Sequence, residues 1–245
     1  MIKKQLLLVC PLLLLASAAW GLPLCMTNSL NVYTANDANT YACTLDGFTF
    51  SNFHYSSPSG LPTEALVDVT PTTDSAGDVG FFFQGAFTAG AGTSSDAILS
   101  YQILAATPVI TGSSVALNSF GATGSGASAS IVEGICTTAP SGSGACLPAS
   151  NAYSLDVYDN ADHPPAVQNA SVVFGTAAST VYVTKNIVEV GGSGSATISE
   201  FENTIQTSGG GGTTGGGTPE PASLLTMGSG MIAFSMLLRK KLRKN

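Results

Sequence analysis

The sequence predicts an all-β fold: a single β-sandwich of roughly ten short antiparallel strands, flanked by an N-terminal signal helix and a C-terminal transmembrane helix. Between the two ends, apolar residues recur with period two in short runs, and sustained 3.6-residue periodicity is absent. Gly, Ser, Pro and Asp interrupt those runs as turn residues do. The two ends instead carry continuous apolar stretches bordered by Lys or Arg.

Taken in order, Lys3-Lys4, the apolar run 6–15 and the small residues behind it read as a secretory signal over 1–21. Cleavage after Ala18 or after Gly21 fits the small-x-small rule. Cys10 lies inside the apolar run, too early for lipid attachment. Cys25 follows Leu22-Pro23-Leu24, where a lipidation site needs a small residue just before the cysteine. The span 22–207 then holds one domain's worth of chain, enough for a single sizeable core. Its clearest alternating runs are 48–50, 99–103, 181–184 and 196–199, and 66–70, 79–88, 115–120, 129–135, 153–158 and 171–174 complete the expected strands. Val79-Gly80-Phe81-Phe82-Phe83 is continuously apolar, as a central strand covered on both faces would be. Frequent turns and few helix formers favour a sandwich.

Segment 208–218 has seven glycines in eleven residues, the composition of a flexible tether with a reach of ~18 Å. Pro219, Glu220 and Pro221 precede an apolar run, 222–238, which as a helix of 17 residues spans about 25 Å. That is at the short end for a membrane crossing, and Arg239 and Lys240 can snorkel to extend it. Arg239, Lys240, Lys241, Arg243 and Lys244 form a basic cluster that holds the C-terminus on the cytoplasmic side. On these residues alone, an unprocessed C-terminal anchor is the competing reading.

A Pro-Glu-Pro triplet, a short membrane helix and a terminal basic cluster, in that order over 219–245, closely resemble the PEP-CTERM sorting signal of bacterial exported proteins. Cys43-Thr44-Leu45-Asp46-Gly47-Phe48-Thr49-Phe50-Ser51-Asn52-Phe53 resembles the opening strand of many uncharacterised members of that group, and 196–204 resembles their closing strand. The resemblance implies an exported chain recognised by exosortase, a membrane-embedded transpeptidase-like protease. The N-terminal signal adds passage through the Sec translocon and cleavage by signal peptidase, and the C-terminal resemblance implies transient anchoring in the inner membrane before arrival at the cell surface or outside. A link to exopolysaccharide and biofilm is also implied. No catalytic residues come with it.

Charge narrows the function classes. Between 22 and 217, Lys185 is the only Lys or Arg against 14 acidic residues, which gives a net charge near −13. Nucleic acid and anionic surfaces repel such a domain, and phosphate chemistry without arginine lacks its usual clamp. Cations and neutral polar partners stay open.

Four cysteines remain in the exported span, an even number in an oxidising compartment, and favour two disulfides. Of the three connectivities, Cys25–Cys43 with Cys136–Cys146 closes the shortest loops, and Cys25, near the mature N-terminus, makes the weaker of the two bridges. A zinc site is the rival, without CxxC spacing to support it.

Catalytic chemistry finds little footing. His54 ends a strand and His163 precedes two prolines, and neither accompanies a Gly-x-Ser-x-Gly elbow. Among 14 acidic residues some pair is inevitable, so a glycosidase dyad is not identified. Asp156, Asp159 and Asp162 form the densest acidic cluster and a weak Ca²⁺ candidate without the EF-hand pattern, with 74–78 weaker. No other cofactor is expected. Asn169-Ala170-Ser171 is a sequon of little weight. The expected function is therefore a non-enzymatic structural protein of the surface or matrix. A carbohydrate-binding or adhesive module is the alternative, and a polysaccharide-active hydrolase the less favoured third. Tyr33, Tyr41, Tyr55, Tyr101, Tyr153, Tyr158 and Tyr182 are the candidates for an aromatic binding platform.

Overall fold

The computed structural model describes residues 21–35, 41–58, 62–74, 76–107, 109–140 and 152–208. The signal segment, the tether beyond 208, the Pro219-Glu220-Pro221 motif, the apolar run 222–238, the basic cluster and Cys146 lie outside the described residues. Among the described residues no helix is long and apolar enough to cross a membrane.

Twelve strands appear among the described residues: β1 (Asn28–Ser29), β2 (Ala42–Leu45), β3 (Phe48–Ser56), β4 (Asp68–Thr73), β5 (Val79–Ala89), β6 (Ser94–Ala105), β7 (Ile110–Thr123), β8 (Ser128–Cys136), β9 (Ala152–Asn160), β10 (Asn169–Ala178), β11 (Thr180–Val190) and β12 (Ser195–Thr207). They form two six-stranded sheets. The first runs β2-β3-β6-β11-β8-β9 and the second β1-β4-β5-β12-β7-β10, and every strand-to-strand pairing within them is antiparallel. The ten expected runs overlap β3 to β12. Short β1 and β2, and a five-residue helix α1 (Leu30–Thr34), are additions, because segments this short carry no readable period.

Turn chemistry sets the first hairpin. Leu45 pairs with Phe48, and Asp46 and Gly47 between them have φ of 48° and 87°, the two positive angles a two-residue hairpin requires. Two bulges then redirect side chains. In β3 the register to β6 shifts between Ser51 and His54, with Asn52 at φ 56°. Phe48 and Phe50 before the shift, and Phe53 and Tyr55 after it, therefore all point inward. In β12 the shift falls between Ile198 and Glu200. Ala196 and Ile198 face the core before it, and Phe201, Asn203 and Ile205 after it.

The core is a ring cluster drawn from both sheets. Phe50 meets Phe81 edge-on at 4.7 Å between centroids, Phe83 stacks on Phe201 at 5.0 Å, and Phe53 stacks on Tyr101 at 5.2 Å. Such pairs add about 0.5–1.5 kcal/mol each to the burial of their area. Helix α1 closes one flank: Leu30 N–H donates to Val67 O, Tyr33 packs on Phe53 at 4.9 Å, and the Tyr33 hydroxyl donates to Met26 O at 2.6 Å. The apolar run 79–83 is covered unequally on its two faces. Phe81 and Phe83 are fully buried, while Phe82 lies half-buried on the outer side. A run of three phenylalanines reads as two-sided burial although alternate members face different ways.

Cys25 and Cys43 form a disulfide with Cα atoms 4.8 Å apart. Cys25 N–H donates to Thr44 O and Thr44 N–H to Pro23 O, which ties the segment around Cys25 to β2. Cys136 is disulfide-bonded as well, and its partner lies outside the described residues.

Candidate functional site

The outer face of the second sheet carries a groove of about 230 Å³ lined by Asp74, Ser114, Ala116, Asn169, Ser171 and Glu202, among others. Strand register builds it. Glu202 of β12 lies between Phe82 of β5 and Ala116 of β7, and Ala116 lies beside Asn169 of β10. One row along, Thr204, Ser114 and Ser171 repeat the pattern with short hydroxyl side chains. The floor is thus small and polar, and the Ser114 and Thr204 hydroxyls bond each other at 2.7 Å. Asp74 enters from the β4–β5 connection. Its Oδ1 accepts from the Ala76 and Asp78 amides at 2.8 and 2.9 Å, so its own loop fixes the carboxylate.

The groove is electronegative, and its acids respond to that. Burial raises the Glu202 pKa, Asp74 and Glu200 raise it further, and a bond from Asn118 opposes them. Asp78 is raised by burial and by Asp74, with a backbone bond at Thr207 opposing. No Lys or Arg among the described residues offsets these acids. Among the described residues Lys185 is the only Lys or Arg, and its side chain is wholly buried. The described surface therefore presents no Lys or Arg.

The other expected site residues fall elsewhere. Asp159 Oδ2 accepts from the Ala122 amide at 2.8 Å and Asp162 Oδ2 from the Gly126 amide at 2.7 Å, while Asp156 is exposed on β9. Two of the three Ca²⁺ candidates are thus engaged by separate backbone donors, and the structure does not gather the three into a ligand set. His54 is exposed on β3 opposite Ser100, and His163 is exposed in a turn. Of the tyrosines, Tyr33, Tyr55 and Tyr101 are buried, and Tyr41 and Tyr153 pack against the core. Tyr158 and Tyr182 are half-buried on the outer face of the first sheet. Tyr182 is level with Cys136 and Ala152, which puts Tyr158 six residues farther along, about 20 Å at strand spacing. They do not make one platform.

One constellation escaped the sequence reading altogether, and it lies between the sheets. Lys185 of β11 pairs with Glu133 Oε2 of β8, and both side chains have zero exposure. Glu133 Oε1 accepts from Ser113 Oγ at 2.9 Å and from Asn203 Nδ2 at 3.2 Å. Asn203 Nδ2 also donates to Ser114 O at 2.6 Å, and Asn203 Oδ1 accepts from the Tyr101 hydroxyl. Burial lowers the Lys185 pKa, opposed by Glu133, and burial with the nearby Glu133 charge raises that of Tyr101. The available signal was period two itself: Val181, Val183, Lys185 and Ile187 share one face of β11, so Lys185 sits in an apolar row.

No protein-family profile matches the chain, and no curated relative does. Among solved structures, TmCBM61 in complex with β-1,4-galactotriose is 13% identical, with 63% of this chain and 88% of that chain covered, at a TM-score of 0.32. The enzymatically active domain of tailspike protein 4 from bacteriophage CBA120 is 11% identical, with 66% of this chain and 20% of that chain covered, at a TM-score of 0.27. At such TM-scores neither likeness bears on function.

Proposed function

We propose that the sandwich is a non-enzymatic module that binds neutral carbohydrate through the groove on its second sheet, carried by a surface- or matrix-associated protein that exosortase sorts. The observation that carries the reading is the chemistry of that groove: a loop-fixed carboxylate and mutually bonded hydroxyls beside a second carboxylate and an amide, on a described surface without Lys or Arg. Carboxylates and amides accept and donate paired hydrogen bonds, which suits the vicinal hydroxyls of a sugar. The half-buried ring of Phe82, opposite Glu202 across the strands, offers an apolar neighbour for a pyranose face. Uronic acids, sulfated sugars and nucleic acid would meet only repulsion there. The sorting role rests on the resemblance at 219–245, with exopolysaccharide as the partner it implies.

A polysaccharide-active hydrolase is the second reading, favoured by one observation. Asp74 and Glu202 line the same groove, and Glu202 has a raised pKa, as a general acid would. Screening the purified protein on a glycan array and against the bound glycans for hydrolysis separates the two. Binding to neutral glycans that Glu202→Ala abolishes, without release of reducing sugar, supports the module. Turnover would establish the enzyme, and binding restricted to acidic glycans would sink the groove assignment.

A further inference from the structure

We propose that Lys185 and Asn203 become joined by an intramolecular isopeptide bond, formed by the folded core itself with Glu133 transferring the protons. The argument starts from what surrounds each atom. One carboxyl group holds both reactants, since Glu133 Oε2 contacts the Lys185 amine and Glu133 Oε1 accepts from the Asn203 amide nitrogen at 3.2 Å. The Asn203 amide is oriented at both ends: its nitrogen is fixed by Ser114 O at 2.6 Å and Ser113 Oγ at 3.1 Å, and its oxygen faces the Tyr101 hydroxyl. All four reacting side chains are at most 4% exposed, and Phe201 lies under the amine at 6.0 Å. Water is thereby kept from competing with the amine.

Each group has a matching chemical task. A lysine is nucleophilic only as the free amine, and desolvation favours that form. Glu133 takes one proton from the Lys185 ammonium, which replaces a buried ion pair by a neutral amine and a neutral acid. The Nζ lone pair then attacks Cγ of Asn203, and the charge that develops on Oδ1 is met by the Tyr101 hydroxyl, placed as an oxyanion donor would be. Glu133 passes its proton to Nδ2 and takes the second proton from Nζ as the Cγ–Nδ2 bond breaks. Ammonia leaves, a secondary amide joins the two side chains, and Glu133 ends as the neutral acid. Nothing is oxidised or reduced, and no co-reactant is needed.

The position gives the bond a mechanical purpose. Lys185 belongs to the first sheet and Asn203 to the second, in the last described strand. A covalent tie there would carry tension entering at residue 208 across the core rather than along one ladder of hydrogen bonds.

The test is mass spectrometry of the full chain, reduced and cut by a glutamate-specific protease. Lys185 falls in the 134–189 product, and cuts at Glu189 and Glu200 separate it from Asn203. The expected result is a branched species in which the 134–189 peptide is joined to the peptide carrying Asn203, lighter by one ammonia than their sum. It should be lost in Asn203→Ala and in Glu133→Gln, and it should accumulate more slowly after refolding in Tyr101→Phe. Because the wild-type product is itself decisive, a variant that fails to fold does not rescue the idea. Two separate peptides at sequence mass would overturn the proposal. So would an ammonia loss confined to the Asn203 peptide, which is ring closure on the backbone, or a Lys185–Glu133 linkage lighter by one water.

Discussion

Glu189 offers a stability test with a worked sign. It occupies the core face of β11 with zero exposure, two inward positions beyond Lys185. Burial pushes its pKa up to about 7, with Asp96 adding to the rise and the Ser95 hydroxyl pulling it back. Unfolded, the group returns to 4.5, so the native state holds this proton more tightly than the unfolded chain. Stability from this group is therefore greatest below pH 4.5, falls as pH rises to about 7, and is level above that. The displacement corresponds to about 3 kcal/mol at pH 8. Glu189→Gln keeps the shape and removes the titration. Urea unfolding of both proteins, disulfides intact, should show the variant gaining about 2–3 kcal/mol on the wild type between pH 5 and pH 8. The other raised acids, Asp78 and Glu202, are present in both proteins and cancel in the comparison. A difference that stays constant across that range would refute the reasoning, and would mean that the buried carboxyl is relieved by structural relaxation rather than by its proton.

Three further outcomes are expected. Phe81→Ala should cost about 3–5 kcal/mol in the same urea assay, whereas Phe82→Ala, on the half-buried outer side, should cost clearly less; equal losses would contradict the unequal burial of these two rings. Replacing Cys25 and Cys43 together by Ser should lower stability by ~3 kcal/mol for a loop of this separation, and an unchanged melting temperature would mean that the backbone bonds to Thr44 alone hold the segment. Mass spectrometry of the surface-located protein should find 1–21 and 222–245 removed, while recovery of intact 222–245 would leave the C-terminal run as an unprocessed anchor.

The strands were legible because burial repeats every second residue. Leu99, Tyr101 and Ile103 on β6 and Val181 and Val183 on β11 face inward as their alternation requires, whereas the run 43–53, expected as one opening strand, is folded into a hairpin at Asp46-Gly47 by two positive φ angles. What stayed hidden depends on register between distant strands, which period cannot supply. The groove exists because Glu202, Ala116 and Asn169 come level across three strands, two of them far from β12 in the chain. Its residues are individually ordinary, and the sequon at Asn169 gave no hint of a neighbouring carboxylate.

The buried constellation shows the same limit more sharply. Continuing the parity of Ala196 and Ile198 along β12 would point Glu200, Glu202 and Thr204 into the core and Asn203 to solvent. The bulge after Ile198 reverses that choice, so Glu202 faces the groove and Asn203 faces Glu133. That single irregularity in register therefore assigns both sites at once. Without it, two carboxylates would lie between the sheets, where the described chain has only Lys185 to pair with them. Burying further carboxylates without a cation costs several kcal/mol each, and this penalty favours the shifted register although nothing in the local sequence of Ser199 announces it.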